Sequence, residues 1–165
     1  MEAKHFNLAR KNAENIANQW INEANNLYRI MLGHLQISDR ELRTLDCRIG
    51  TYVLGAQDCN GNFIPQYVGR SDSNLKDEII QSTERLGFDA LTHFKHIIAN
   101  DAFEAFQKES LLCHALNPQI DLLNNIHPAR PNGEQCSYCD QLTDQERQTL
   151  IKYTNIRFIN SASEH

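Results

Sequence analysis

The chain has 165 residues, 41% of them hydrophobic and 22% charged, with a formal net charge of −5. That length suits one domain, or one small domain with an appendage, and it is enough for a sizeable core. No stretch approaches the roughly 18 apolar residues of a membrane span, the first twenty residues are polar with both charge signs, unlike a secretory signal, and the acidic balance argues against a broad basic face for nucleic acid.

A cytoplasmic location is the expectation that follows. Five cysteines is an odd number, which argues against a disulfide framework and for metal binding by at least two of them.

Residues 3–35 carry Ala13, Ile16, Trp20, Ala24, Leu27, Met31 and Leu35 at three- and four-residue steps, with Phe6 and Ala9 ahead of them. This spacing predicts an amphipathic helix or helical hairpin packed on the domain. The same stripe could serve a homodimer. Ser38 with Glu41 three residues later reads as a capping box opening a short second helix.

Next come Thr51-Tyr52-Val53-Leu54, then Asn60-Gly61, then Phe63-Ile64 and Tyr67-Val68. Asn-Gly between two strand-like runs predicts a tight primed hairpin with φ > 0 at both central residues. Such a hairpin puts Tyr52 and Tyr67 on neighbouring strands. Ser73-Asn74 opens a helix that Gly87 stops.

Residues 91–98 read as a third strand, with His93 and His96 three apart and so on opposite faces, one of them toward solvent. Either histidine could assist proton transfer; an ordinary polar strand position is the plainer reading. Asn100-Asp101 caps a helix over 102–116, and Asn117-Pro118 ends it. Residues 117–140 are irregular and proline-punctuated, and Thr143 caps a final helix through Tyr153. The expected class is α+β: a small, mainly antiparallel three-stranded sheet flanked by helices, with an N-terminal helical extension. The divisions are 1–46 for the extension, 47–140 for the central domain and 141–165 for the C-terminal helix and tail.

Glu109 lies beside the apolar positions Ala105, Phe106, Leu112 and Cys113 of the 102–116 helix. A carboxylate there is costly unless paired or metal-bound, although an edge position on the helix would leave it in solvent. Cys136 and Cys139 form a C-x-x-C knuckle, half of a tetrahedral zinc site. His127 is the expected third ligand, and His114 competes with Cys113 for the fourth place. Such a staple would hold the irregular segment near Asn125.

The set Gly50-Thr51-Tyr52, Tyr67-Val68-Gly69, Lys108-Glu109-Ser110, Leu123-Asn124-Asn125 and Cys136-x-x-Cys139 resembles GIY-YIG nucleases, over roughly residues 50–139. The resemblance implies an endonuclease that hydrolyses nucleic-acid phosphodiester bonds, DNA in the first place, with one Mg²⁺ or Mn²⁺ held by Glu109. It implies catalytic roles for Tyr52 as base or water-orienting group, Tyr67, Glu109 and Asn125, with Asn124 the alternative to Asn125. Gly69 would let a substrate approach the backbone. The arginine that the family carries on the helix after the second tyrosine strand falls here at Glu78, beside Asp77. Arg70, Arg85 and Lys76 are the cations nearby that could replace it. Arg85 is seven residues beyond Glu78, roughly 10 Å along a helix.

A catalytically degenerate, zinc-stapled domain of the same type, binding nucleic acid or a protein partner, is the alternative. A zinc-stapled interaction domain unrelated to nucleases is the third reading.

Overall fold

The structure is a computed structural model that describes residues 2–31, 34–87, 89–116, 122–124, 128–131, 136 and 138. The fold is α+β. Its elements are α1 (Glu2–Ile30), β1 (Leu35–Gln36), α2 (Asp39–Leu42) running into a 3-10 turn (Arg43–Leu45), β2 (Gly50–Gln57), β3 (Phe63–Ser71), α3 (Leu75–Leu86), β4 (His93–Ile98) and α4 (Ala102–Leu116). The expected final helix from Thr143 lies outside the described residues.

The sheet is antiparallel and has four strands, in the order β1-β4-β2-β3. The additional strand beyond the three expected is Leu35–Gln36, which pairs with Phe94 and His93. Two residues are too few to show a two-residue alternation. Leu35 also continues the four-residue step of α1, although the helix ends at Ile30 and Met31 N–H closes its last turn on Leu27 O at 3.0 Å.

The hairpin pairs Tyr52 with Gly69 and Leu54 with Tyr67. Its turn differs from the primed form. Gly61 N–H donates to Asp58 O, Asp58 N–H donates to Asn62 O, and only Gly61 has positive φ within the turn. This is the three-residue loop class, in which one left-handed residue suffices. The Asp58 carboxylate accepts from Asn60 N–H and Asn62 N–H and fixes the loop from within. A register shift at Leu54/Gly55 leaves Gln66 as the extra residue of β3.

Two apolar layers sandwich the sheet. On one face Tyr52, Leu54 and Phe94 pack with Leu75 and Ile79 of α3 and with Leu42, Leu45 and Leu91. On the other, Val53 and Val68 pack with Leu111, Leu112 and Ala115 of α4 and with the Ala13–Ala17–Trp20–Ala24–Leu27 stripe of α1. From Ala13 to Met31 the stripe read from the sequence thus packs within the chain, and Trp20 is 1% exposed with its ring edge-on to His114 at 5.5 Å. Among the described residues no helix is long and apolar enough to cross a membrane.

Local chemistry sets the ends of the two helices that flank the sheet. Asn74 caps α3 by accepting Asp77 N–H at 3.2 Å, and Gly87, with φ 112°, donates its N–H to Thr83 O. Asp101 accepts Glu104 N–H at 2.8 Å, and Glu104 reaches back to Asn100 N–H at 3.2 Å. Ser38 caps α2 through Glu41 N–H at 3.4 Å.

Trp20 is the only tryptophan, so its emission reports the docking of α1. Trp20→Ala should lower the unfolding free energy by about 3–5 kcal/mol, measured by urea denaturation followed by circular dichroism. A loss under 1 kcal/mol would mean that α1 contributes little to the core.

Candidate functional site

The hairpin, α3 and α4 meet at the free edge of β3. Tyr67 and Gly69 lie on the α3 side of this strand. Arg70 follows on the α4 side, because successive strand residues alternate. An edge strand lets both sides open into one space. Tyr52, Tyr67, Gly69, Arg70, Glu78, Arg85 and Glu109 all line one cleft there, of about 220 Å³, together with Gln81 and Ser82. A second hollow of about 300 Å³ shares Arg70, Glu78 and Glu109 and adds Asp72, Ser73 and Ala129.

Gly69 is required by contact. A Cβ at this position would run into the Tyr52 ring, its Cζ and hydroxyl first. The Tyr52 ring therefore lies across the Gly69 backbone, 6.4 Å from the Tyr67 ring centroid. The role the structure gives Gly69 is to admit a tyrosine.

Tyr52 itself is 1% exposed and its hydroxyl hydrogen-bonds Ser82 Oγ at 2.8 Å. Burial pushes its phenol pKa well up, and the nearby Tyr67, Glu78 and Glu109 add to the rise. Base chemistry at neutral pH needs the opposite shift. Tyr52 thus braces the cleft, and the expected proton-accepting role does not fit its surroundings. Tyr67 is more open. Its hydroxyl accepts from Arg85 Nη2 at 3.1 Å, and the guanidinium stands 5.7 Å from its ring centroid. Burial raises the Tyr67 pKa and Arg85 partly offsets this, so the group keeps its proton and can donate it to an anion.

Glu109 is 8% exposed on the α4 face that packs the sheet. Arg70 Nη1 donates to Glu109 Oε1 at 2.7 Å, while Arg70 Nε donates to Asp72 Oδ1 at 2.8 Å. The guanidinium also lies 5.2 Å from the Phe106 ring centroid. Burial opposes the charge on Arg70, and the two carboxylates more than restore it. The carboxylate stranded on an apolar helix is thus paired, which the sequence reading offered as one of its solutions.

Of the cations weighed as replacements for the missing arginine, Arg70 and Arg85 reach the cleft and Lys76 does not line it. Glu78 does line it, at the position where the family resemblance places the arginine.

Asn124 has a different task from the one weighed for it. Its Oδ1 accepts Val68 N–H at 2.9 Å and its Nδ2 donates to Val68 O at 2.7 Å. Leu123 N–H donates to Gln66 O at 2.6 Å. The segment therefore occupies the free edge of β3 directly beside Tyr67 and Gly69. Sequence reasoning missed this clasp, because an Asn in a loop carries no sign of the distant strand it will pair with. Asn125 lies outside the described residues.

So do His127 and Cys139. Among the described residues no three His, Cys, Asp or Glu side chains converge as a metal site. Cys113 and Cys136 are both buried, and the Cys113 thiol is pushed up by burial, then by Glu109 and Cys136. His114 is buried against Trp20 and Tyr138, and its Nδ1 donates to Ser110 O at 2.7 Å. Ligation by His114 would therefore use Nε2, the carbonyl bond being the usual way to fix that tautomer.

His96 faces the Tyr52 side of the sheet, paired with Tyr52 in register, and is 5% exposed; its partner in the sequence reading, His93, is half-buried. The two histidines do take opposite faces, but neither is fully exposed, His93 being the less buried.

No protein-family model, curated protein or solved structure matches this chain.

Burial lowers the His96 pKa, and its Nδ1 has no partner among the described residues. The neutral ring is favoured in the fold, so its stabilisation is complete above the ordinary value of 6.5 and fades as pH falls below that toward the depressed folded value. The urea midpoint should therefore fall between pH 7.5 and pH 5 in the wild type, and fall less in His96→Gln. Equal slopes would remove His96 as a source of acid sensitivity.

Proposed function

We propose that the cleft is the active site of a metal-dependent endonuclease of GIY-YIG type, cutting nucleic-acid phosphodiester bonds, with DNA as the expected substrate and the cytoplasm as its location. One observation carries this reading. Two tyrosines, a contact-required glycine, two arginines and a buried glutamate, drawn from four elements, line a single cleft. Guanidiniums and a phenol that keeps its proton are groups that bind a phosphodiester and stabilise charge developing on it, and a carboxylate is a group that can hold a divalent ion beside it.

The donor chemistry at Glu109 suits a single Mg²⁺ or Mn²⁺, since such hard ions take one or two protein carboxylates and complete their shell with water and substrate oxygens. When bound, the ion would neutralise charge on the phosphate and the leaving oxygen. The remaining work falls to the chain's own residues. Arg70, held by Asp72, would offer its guanidinium to a phosphate oxygen, and Glu109 would be the carboxylate that holds the ion. Tyr67 donates its O–H to a second oxygen. Arg85 keeps Tyr67 in place and adds positive charge at the cleft mouth. Asn125, following the clasp, is proposed to contact a substrate oxygen.

Zinc is proposed as a staple for the segment after α4, held by Cys136, Cys139 and His127, with His114 Nε2 or Cys113 as the fourth ligand. The burial of Cys136 and the Nδ1 bond of His114 support that part. Metal analysis of the purified chain should find about one zinc per chain, and none in Cys136→Ser. Zinc-free wild type would remove the staple.

The Arg70–Glu109 pair also favours a second reading. A guanidinium already engaged by two carboxylates is less available to phosphate, as in a degenerate domain that binds without cutting.

Plasmid DNA and single-stranded RNA incubated with Mg²⁺ or Mn²⁺ separate the two. Wild type should cleave DNA, and Glu109→Gln, folded by circular dichroism, should be slower by about 100-fold or more. Folded, metal-replete wild type that binds but never cleaves would leave the degenerate domain.

A further inference from the structure

Most of the cleft's polar groups are committed to one another; Gln81 and Glu78 are the two lining side chains without a hydrogen bond among the described residues, and of these only Glu78 is a carboxylate. Tyr52 is bonded to Ser82, Tyr67 accepts from Arg85, and Arg70 joins Glu109. Glu78 enters no side-chain hydrogen bond or ion pair among the described residues, yet it lines both the cleft and the adjoining hollow. It is half-buried. It sits one helical turn before Ser82, so its carboxylate stands on the α3 face that meets the Tyr52 hydroxyl, displaced roughly 6 Å toward the helix start. Arg85, seven residues later, ends the same stripe at the cleft mouth. The groups facing Glu78 across the space are Arg70 from β3, Glu109 from α4 and the two phenols from the hairpin.

Hydrolysis needs a proton acceptor beside the attacking water. The arginines cannot serve, and both phenols hold their protons. Glu109 is engaged by Arg70. A carboxylate that is accessible to the cleft and without an ionic partner is the remaining acceptor of suitable chemistry.

We infer that Glu78 is the general base of the cleft, taking the proton of the water that attacks the phosphodiester. The step balances without any further reagent. The water oxygen forms a bond to phosphorus, its proton passes to the Glu78 carboxylate, and the bond from phosphorus to the leaving oxygen breaks. The leaving oxygen takes a proton from solvent, and Glu78 later releases its own to solvent. The products are a phosphomonoester and an alcohol. A position that reads from the sequence as damaged then has a task. The strand arginine Arg70 carries the positive charge, and the helix residue Glu78 carries the base.

This inference rests on the proposed nuclease reading, and one experiment separates their failures. Cleavage of plasmid DNA with Mn²⁺ is followed for wild type, Glu78→Ala, Glu78→Asp and Glu78→Arg, with DNA affinity measured for each in parallel. Glu78→Ala should cut at least ~100-fold more slowly with DNA affinity unchanged or tighter. Added formate should restore its rate by about tenfold, as an external base replaces the missing carboxylate. Glu78→Asp should keep part of the activity. If Glu78→Ala cleaves as fast as wild type, or is slow without formate rescue, Glu78 is not the base and the nuclease reading stands. If Glu78→Arg outpaces wild type, Glu78 is an impairing residue and the inference is overturned. Wild type that never cleaves overturns the nuclease reading itself, and this inference with it.

Discussion

The pairing of Arg70 with Glu109 is the constraint on which the rest of this site turns. Glu109 is a carboxylate on the helix face that packs against the sheet, and with Phe106 and Leu112 buried on either side of it water offers little solvation. Its charge is held by a guanidinium from another layer of the fold, itself only 10% exposed. Removing one partner of such a pair typically costs about 3–5 kcal/mol, because the other charge stays behind uncompensated. The pair therefore fixes where α4 sits along β3. It also sets the electrostatics of the cleft, since Asp72 on one side and Glu109 on the other leave Arg70 charged despite its burial.

Steric fit does on the other side of β3 what charge does on this one. The Tyr52 ring rests on the Gly69 backbone, and its hydroxyl ties the hairpin to Ser82 of α3. Each of the two helices is thus anchored to the hairpin by a buried polar contact as well as by apolar packing. Thr51, the residue before Tyr52, points the other way and donates to Ala105 O of α4 at 2.8 Å. Adjacent strand residues so grip opposite layers, and the tyrosines are held with little freedom between them.

The edge of β3 is the weak place in this arrangement, because an unpaired strand edge invites pairing with another chain. Asn124 and Leu123 close it, with a side-chain amide standing in for a strand's backbone. Pro65, which lacks an N–H, and the extra residue Gln66 interrupt the regular edge as well. The same clasp brings the chain after α4 back beside Tyr67 and Gly69.

Much of this was legible in the sequence where the physics is local. The bounds of α3 and α4 follow from Asn74, Gly87 and Asp101, whose caps act within three or four residues. The buried stripe of α1 from Ala13 to Met31 and the placing of Tyr52 and Tyr67 on paired strands follow from periodicity and from a turn signal. The turn geometry was misread because Asn-Gly serves both the primed form and the three-residue loop, and Asp58 decides between them. Tertiary structure alone decided the rest. Arg70 meets Glu109 across 39 residues, Asn124 meets Val68 across 56 and Tyr52 meets Ser82 across 30. Such partners are selected by how layers pack, and no local spacing records them. The sequence determined which elements form and which faces they bury. The packing of three layers around one strand edge decided which polar groups would be paired, and that Glu78 would not be paired among the described residues.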